Sequence, residues 1–195
     1  YQYYTNRTCN TSLQRDLGTM SLQEKNIHLR ALEPTDLDFL FALENDTNLW
    51  KVSDTITPFS KYVLTRYLEN SHRDIFDVKQ VRLMIEHSQT KQPLGCIDLF
   101  DFNPQHHRVG VGLVIFDPAH RSKGFATQSL KLICQYAKEH LQVHQIFANI
   151  SEPNKESISL FEKAGFLKKG VKKDWIYNQG TYINQFLYQY IVADN

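Results

Sequence analysis

The stretch Gly110-Val111-Gly112-Leu113-Val114-Ile115-Phe116-Asp117-Pro118-Ala119-His120-Arg121-Ser122-Lys123-Gly124-Phe125-Ala126-Thr127 joins an alternating apolar run, a short polar loop and the start of an amphipathic segment. A strand that feeds a helix in this way exposes the first helical amides, which have no internal partners, at the end where the helix dipole favours anions. Gly124 permits a positive φ or a close backbone approach, and Arg121 and Lys123 bring positive charge. Such a loop suits a phosphate or pyrophosphate. Neither G-x-x-x-x-G-K-S/T nor G-x-G-x-x-G is present, so the Walker and dinucleotide cradles are excluded.

Other reactive residues carry less. Cys9, Cys96 and Cys134 are odd in number, widely spaced and never in C-x-x-C, which argues for reduced thiols and against a disulfide framework or a thiolate metal site. His140 and His144 form H-x-x-x-H without a Glu after the first His, so no metal is expected.

The surrounding elements follow from periodicity. Residues 27–30 alternate as a strand, and Pro34-Thr35-Asp36 opens a helix running to about Asp46 with Leu37, Leu40 and Phe41 on one face. Residues 61–71 repeat Val63, Leu64, Tyr67 and Leu68 at helical spacing. Three alternating runs, 81–87, 94–102 and 108–116, read as an antiparallel meander. Ala126, Leu130, Ile133, Cys134, Ala137 and Leu141 mark the helix after the loop, and 144–150 is the next strand. A second helix spans 154–164 and is stopped by Gly165. Strands 166–177 and 182–192 flank the hairpin signal Asn178-Gln179-Gly180.

Arg121-x-x-Gly124-x-Ala126 after a strand resembles the (Q/R)-x-x-G-x-(G/A) loop of the GNAT superfamily of acyl-CoA-dependent N-acetyltransferases. A second block, Asn154-Lys155-Glu156-Ser157-Ile158-Ser159-Leu160-Phe161-Glu162-Lys163-Ala164-Gly165-Phe166, is similar to the family's N-x-x-S/A-x-x-L-Y/F-E-K-x-G-F segment. The resemblance covers about residues 25–192 and implies an α+β fold. That fold has a mostly antiparallel twisted sheet of about seven strands flanked by about four helices. It implies acetyl-CoA as cosubstrate, with the backbone of Val114, Ile115 and Phe116 on the pantetheine arm. Arg121, Ser122, Lys123, Gly124, Phe125, Ala126 and Thr127 would bind the pyrophosphate, and Asn154 the cofactor arm or a water, with Lys155 and Glu156 on the same wall.

The same resemblance implies direct transfer to an amine, which needs a base for the ammonium proton and an acid for the departing thiolate. Spermidine acetyltransferases and many relatives place a Tyr where this chain has Phe161, which has no proton to give. Ribosomal-protein N-terminal acetyltransferases instead resemble it in the Ser four residues earlier, so Ser157 is the first candidate acid, with Tyr177 and Tyr182 as alternatives. Glu86 and Asp98, on central strands, are the candidate bases. The expected acceptor is a protein N-terminus, with a small cationic amine such as a polyamine as the alternative and a non-catalytic acyl-CoA sensor as a further one. The acids Glu33, Asp36, Asp38, Glu44, Asp46 and Asp54 lie in the region where the resemblance puts the acceptor wall. They serve there either as attraction for a cation or as a solvated helix face. Trp50 either lines the acceptor pocket or packs under a loop. Lys163, Lys168, Lys169, Lys172 and Lys173 form a basic stretch near the end.

Composition bounds the rest. The chain has 195 residues, 42% apolar and 22% charged, with 22 basic against 21 acidic side chains. These values favour one domain and exclude a strongly basic nucleic-acid binder. The longest purely apolar run, Phe39-Leu40-Phe41-Ala42-Leu43, falls far short of a membrane span, which needs ~20 residues. Residues 1–19 are polar and aperiodic, carry Asn6-Arg7-Thr8 and Asn10-Thr11-Ser12, and read as a leader or extension before one domain over 20–195. A cytoplasmic location is expected, and a homo-oligomer is left open.

Overall fold

The computed structural model describes residues 21–53 and 55–192; the expected leader over 1–19 lies outside them. The elements run β1 (Ile27–Arg30), a 3-10 turn (Pro34–Asp36), α1 (Leu37–Glu44), α2 (Thr47–Ser53), α3 (Lys61–Glu69), α4 (Ile75–Val78), β2 (Val81–His87), β3 (Pro93–Asn103) and β4 (Arg108–Ile115). After a second 3-10 turn (Pro118–His120) come α5 (Phe125–Glu139), β5 (Gln145–Ser151), α6 (Lys155–Lys163), β6 (Leu167–Asn178) and β7 (Thr181–Ile191). The strands form one seven-stranded sheet in the order β1-β2-β3-β4-β5-β7-β6, antiparallel throughout except for β4 against β5. This is the expected α+β architecture, with two further short helices, α2 and α4. Neither is long enough to show a period: α4 is a single turn, started by the Asp74 carboxylate on the Phe76 amide (2.6 Å) and ended by Lys79 at φ +61°.

Each face of the sheet is covered because the strands alternate. On one face Leu83, Ile85, Ile97, Val109, Val111 and Ile146 pack under α5 and α6, whose Leu130, Ile133 and Phe161 are buried there. Full burial of each such aliphatic side chain is worth about 1.5–3 kcal/mol. On the other face Met84 and Cys96 meet Leu40 and Leu43 of α1 and Leu64 and Leu68 of α3.

The parallel pairing of β4 with β5 is brief. Register holds only for Arg108 with Gln145, Val109 with Ile146 and Gly110 with Phe147, although both strands continue. Beyond that point β4 stays on β3 and β5 stays on β7, so the two strands part. At the fork the ring of Phe100 lies over Gly110, where any Cβ would collide with it, and stands edge-on to Phe147 at 5.7 Å.

An ion cluster ties the first strand to the first helix. Arg30 bonds Asp36 through two nitrogens at 2.8 Å each and Glu86 at 2.6 Å, and Asp36 also accepts the Glu33 amide at 2.8 Å. Burial would raise the Asp36 carboxyl, but Arg30 and the Glu33 amide outweigh it and hold it below its ordinary value of 3.8. Removing one partner of such a cluster strands a buried charge, at a cost of about 3 kcal/mol. Arg30→Met is therefore expected to lower the urea-unfolding free energy by about that amount at neutral pH. A depressed carboxyl contributes its stability above the unfolded-chain pKa and loses it as pH falls through the folded value. The gap between wild type and variant should accordingly narrow below about pH 4.

Candidate active site

The parted strands make the site. Residues of β4 alternate in the direction of their peptide groups, and the Phe116 amide donates to Leu94 O of β3 at 2.9 Å. By that alternation Val114 also faces β3, whereas Val111, Leu113 and Ile115 turn their peptide groups into the gap. Of the three positions expected on a cofactor arm, only Ile115 has its peptide there, and its carbonyl already accepts from Arg121 Nε at 3.3 Å. The side chains of Val114 and Phe116 pack on α1, with Phe116 edge-on to Phe39 at 5.6 Å.

Two helix N-termini meet this opening, one after each parted strand. The 15-residue α5 starts from Gly124 at φ +83°, a left-handed conformation that favours glycine, and no side chain caps it. The first amides of α5, over Phe125, Ala126 and Thr127, are left for an anion, beside exposed Arg121, Ser122 and Lys123. Phe125 itself is buried and cannot offer its ring, which stands edge-on to His87 and His120. Helix α6 is capped: Asn154 Oδ1 accepts the Ser157 amide at 3.1 Å, leaving the Asn154 amide nitrogen for a ligand. Lys155 and Glu156 are exposed in that first turn, Ser157 is half-buried, and Phe161 faces the core against Phe166 at 5.0 Å. Tyr177 and Tyr182 pair with each other at 5.3 Å near the β6–β7 turn, about two-thirds exposed.

The two candidate bases separate. Glu86 is 7% exposed and held by Arg30, two strands from the gap. Asp98 is the cross-strand partner of Gly112, so no side chain stands between it and the parting. Arg82 bonds both Asp98 oxygens, at 2.6 and 3.0 Å, and also bonds Glu44 of α1. Burial opposes the Arg82 charge, and Asp98 and Glu44 more than restore it. These residues border a cavity of about 380 Å³ walled by Phe59, Tyr67 and Phe100. Burial keeps the Tyr67 phenol protonated by raising its pKa.

Sequence reading missed Glu44, Arg82 and Phe100 as a group, because only strand pairing brings α1, β2 and β3 together. The acidic run resolves into different tasks: Asp36 holds Arg30, Asp38 meets Lys61 at 2.6 Å, Asp46 accepts the Asn48 amide, and only Glu44 lines the cavity. Asp54 lies outside the described residues. Trp50 Nε1 donates to Glu44 O at 2.7 Å, fastening α2 to the end of α1. Burial pushes the Cys96 and Cys134 thiols up to about 12, so neither is an activated nucleophile. No three metal-ligating side chains gather among the described residues.

A family model described as an acetyltransferase (GNAT) domain matches residues 26–167. The chain belongs to that family. Spermidine N(1)-acetyltransferase of Vibrio cholerae is 29% identical over 154 residues, 79% of this chain and 86% of that protein. The Escherichia coli K12 enzyme of the same name is 26% identical over 171 residues, 85% and 89% of the two chains. A Vibrio cholerae spermidine N-acetyltransferase solved with CoA and spermine superposes with a TM-score of 0.75, at 27% identity over 85% of this chain and 95% of that one. A dodecameric form of that enzyme superposes at 0.69, again at 27% identity, over 85% and 93%.

As a GNAT N-acetyltransferase the chain uses acetyl-CoA as cosubstrate. The free peptide edge of β4 and the uncapped start of α5 fit an extended arm ending in a pyrophosphate. When bound, acetyl-CoA supplies the thioester; the protein's part is to hold it, admit an amine and manage protons. Acetyl-CoA at 100 times its Kd should add about 2.7 kcal/mol to stability and raise Tm. Gly124→Val, which cannot hold φ +83° without strain, should blunt that rise and weaken CoA binding about tenfold by isothermal titration.

Proposed function

We propose that this acetyltransferase acts on a small polycationic amine, the spermidine-like alternative rather than the protein N-terminus first expected. The observation that carries this reading is the cavity over β2 and β3, one strand from the parting. Two carboxylates, Glu44 and Asp98, share one guanidinium there, so the site keeps a net negative charge between aromatic walls. Such walls and charge favour an ammonium group by Coulomb and cation–π attraction. The naming of relatives in Vibrio cholerae and Escherichia coli as spermidine acetyltransferases supports the same acceptor. Phe161, which pointed away from that branch, is a core residue in this chain and says nothing about the acceptor.

In this reading the ammonium gives a proton to Asp98 or to a water on it, and the freed nitrogen bonds to the acyl carbon. The carbon–sulfur bond breaks and the thiolate takes a proton, for which Ser157 in the first turn of α6 is the proposed source. Assembly into a homo-oligomer belongs to the same proposal, supported by the dodecameric relative and by exposed Val171 and Trp175 on β6.

Thiol release measured across spermidine, spermine, diamines and N-terminal peptides should show turnover with the polyamines and little with peptides; the opposite ranking would overturn the reading. Asp98→Asn should lower kcat/KM for spermidine at least tenfold, and Glu44→Gln should raise KM with a smaller effect on kcat. The KM effect should shrink at high salt, where the attraction is screened. Full turnover in Ser157→Ala would remove Ser157 from the proton path.

A further inference from the structure

Asn149 belongs to neither sequence motif, yet it stands beside the parting. It lies on β5 two residues beyond Phe147, the last position paired with β4. Ile146, Ala148 and Ile150 of the same strand are buried under α5 and α6, so Asn149 faces the opposite side of the sheet, the side of Asp98. Continuing the parallel register by two places sets Asn149 across the gap from Gly112, which pairs with Asp98, which pairs with Arg82. One row across the sheet therefore holds an acid on one side of the parting and an amide on the other.

The direction of that amide is determined. Lys172 of β6 reaches over β7, and its Nζ donates to Asn149 Oδ1 at 3.0 Å and to Gln185 Oε1 at 3.2 Å. An ammonium group only donates, so the atom it meets is the amide oxygen and not the nitrogen. The planar amide consequently turns Nδ2 away from β6 and β7, toward the side on which β4 has left. Nδ2 has no hydrogen-bond partner among the described residues. A cation on the amide oxygen also polarises the group and strengthens its N–H donors.

We propose that Asn149 is a catalytic residue, its Nδ2 donating to the acyl carbonyl oxygen, and that Lys172 is the positioning residue that aims it. While nitrogen bonds to the acyl carbon and carbon parts from sulfur, negative charge passes through that oxygen on its way to the thiolate. Asn149 stabilises the charge in transit and keeps its own protons. A fixed donor of this kind acts where charge develops and requires no reorganisation at the moment of reaction. The role rests on the acetyl transfer of the family and not on which amine accepts.

Asn149→Asp separates this role from a structural one. The carboxylate keeps the size of the amide and still accepts from Lys172, so Tm should hold or rise, but no donor remains. Asn149→Asp and Asn149→Ala should both lower kcat about 100-fold, leaving the acceptor KM within about twofold. By isothermal titration both should weaken acetyl-CoA several-fold, on the order of one lost hydrogen bond, and leave CoA unchanged, since CoA lacks the carbonyl. Lys172→Met should lower kcat about tenfold, and Lys172→Arg should restore most of it. Asn149→Asp with kcat within threefold of wild type would overturn the proposal, as would variants that shift acetyl-CoA and CoA affinities together. If wild type fails to turn over spermidine, the polyamine reading falls, and the acetyl-CoA against CoA comparison still decides the role of Asn149.

Discussion

The separation of β4 from β5 is the constraint on which the rest of the molecule depends. A parallel pair that stops after three register positions leaves peptide groups of two central strands without sheet partners. Buried peptide groups must find partners somewhere, and in this chain the gap is the natural place for an extended ligand to supply them. The separation is affordable because each strand keeps its other neighbour, β3 for β4 and β7 for β5. The Phe100 ring over Gly110, edge-on to Phe147, closes the fork at its narrow end. The free start of α5 and the first turn of α6 are arranged around that opening, and the cavity lies one strand away over β2 and β3.

Charge is organised on one face of the sheet by two arginines with different work. Arg30, between Asp36 and Glu86, is a tie between β1, β2 and the entry to α1. Arg82, between Asp98 and Glu44, is built from the same residue types but borders a cavity next to Gly112. Burial and position distinguish them, not composition. A near-zero net charge conceals this arrangement, since the opposing charges are largely spent on one another.

The α+β order, the meander and both motif-bearing helices were legible in the sequence because their apolar positions repeat at periods of two or 3.6. The uncapped start of α5 was legible because strand, loop and helix are contiguous from Gly110 to Thr127. What could not be read was lateral. Glu44, Arg82 and Asp98 come from α1, β2 and β3, and Asn149 meets Lys172 only because β7 is inserted between β5 and β6. The strand-facing alternation that gives Ile115 to the gap and Phe116 to Leu94 needed the register of β3. Glu86 and Asp98 looked equivalent as acids on central strands until pairing put one beside Arg30 and the other beside Gly112. Lys172 looked like one more member of a basic stretch, and it proved half-buried against Asn149 and Gln185.

That basic stretch has a consequence for how the sheet ends. A sheet with open edges invites another strand to add to it, and proteins defend those edges with shortness, bulges and lysines. Here β1 is only four residues long, and β6 is interrupted twice in its register with β7. The outer strand also carries Lys168, Lys169 and Lys173, all exposed. The exposed lysines of that basic stretch thus stand guard on the outer rim, which helps to keep a molecule with seven strands from growing an eighth taken from its neighbour.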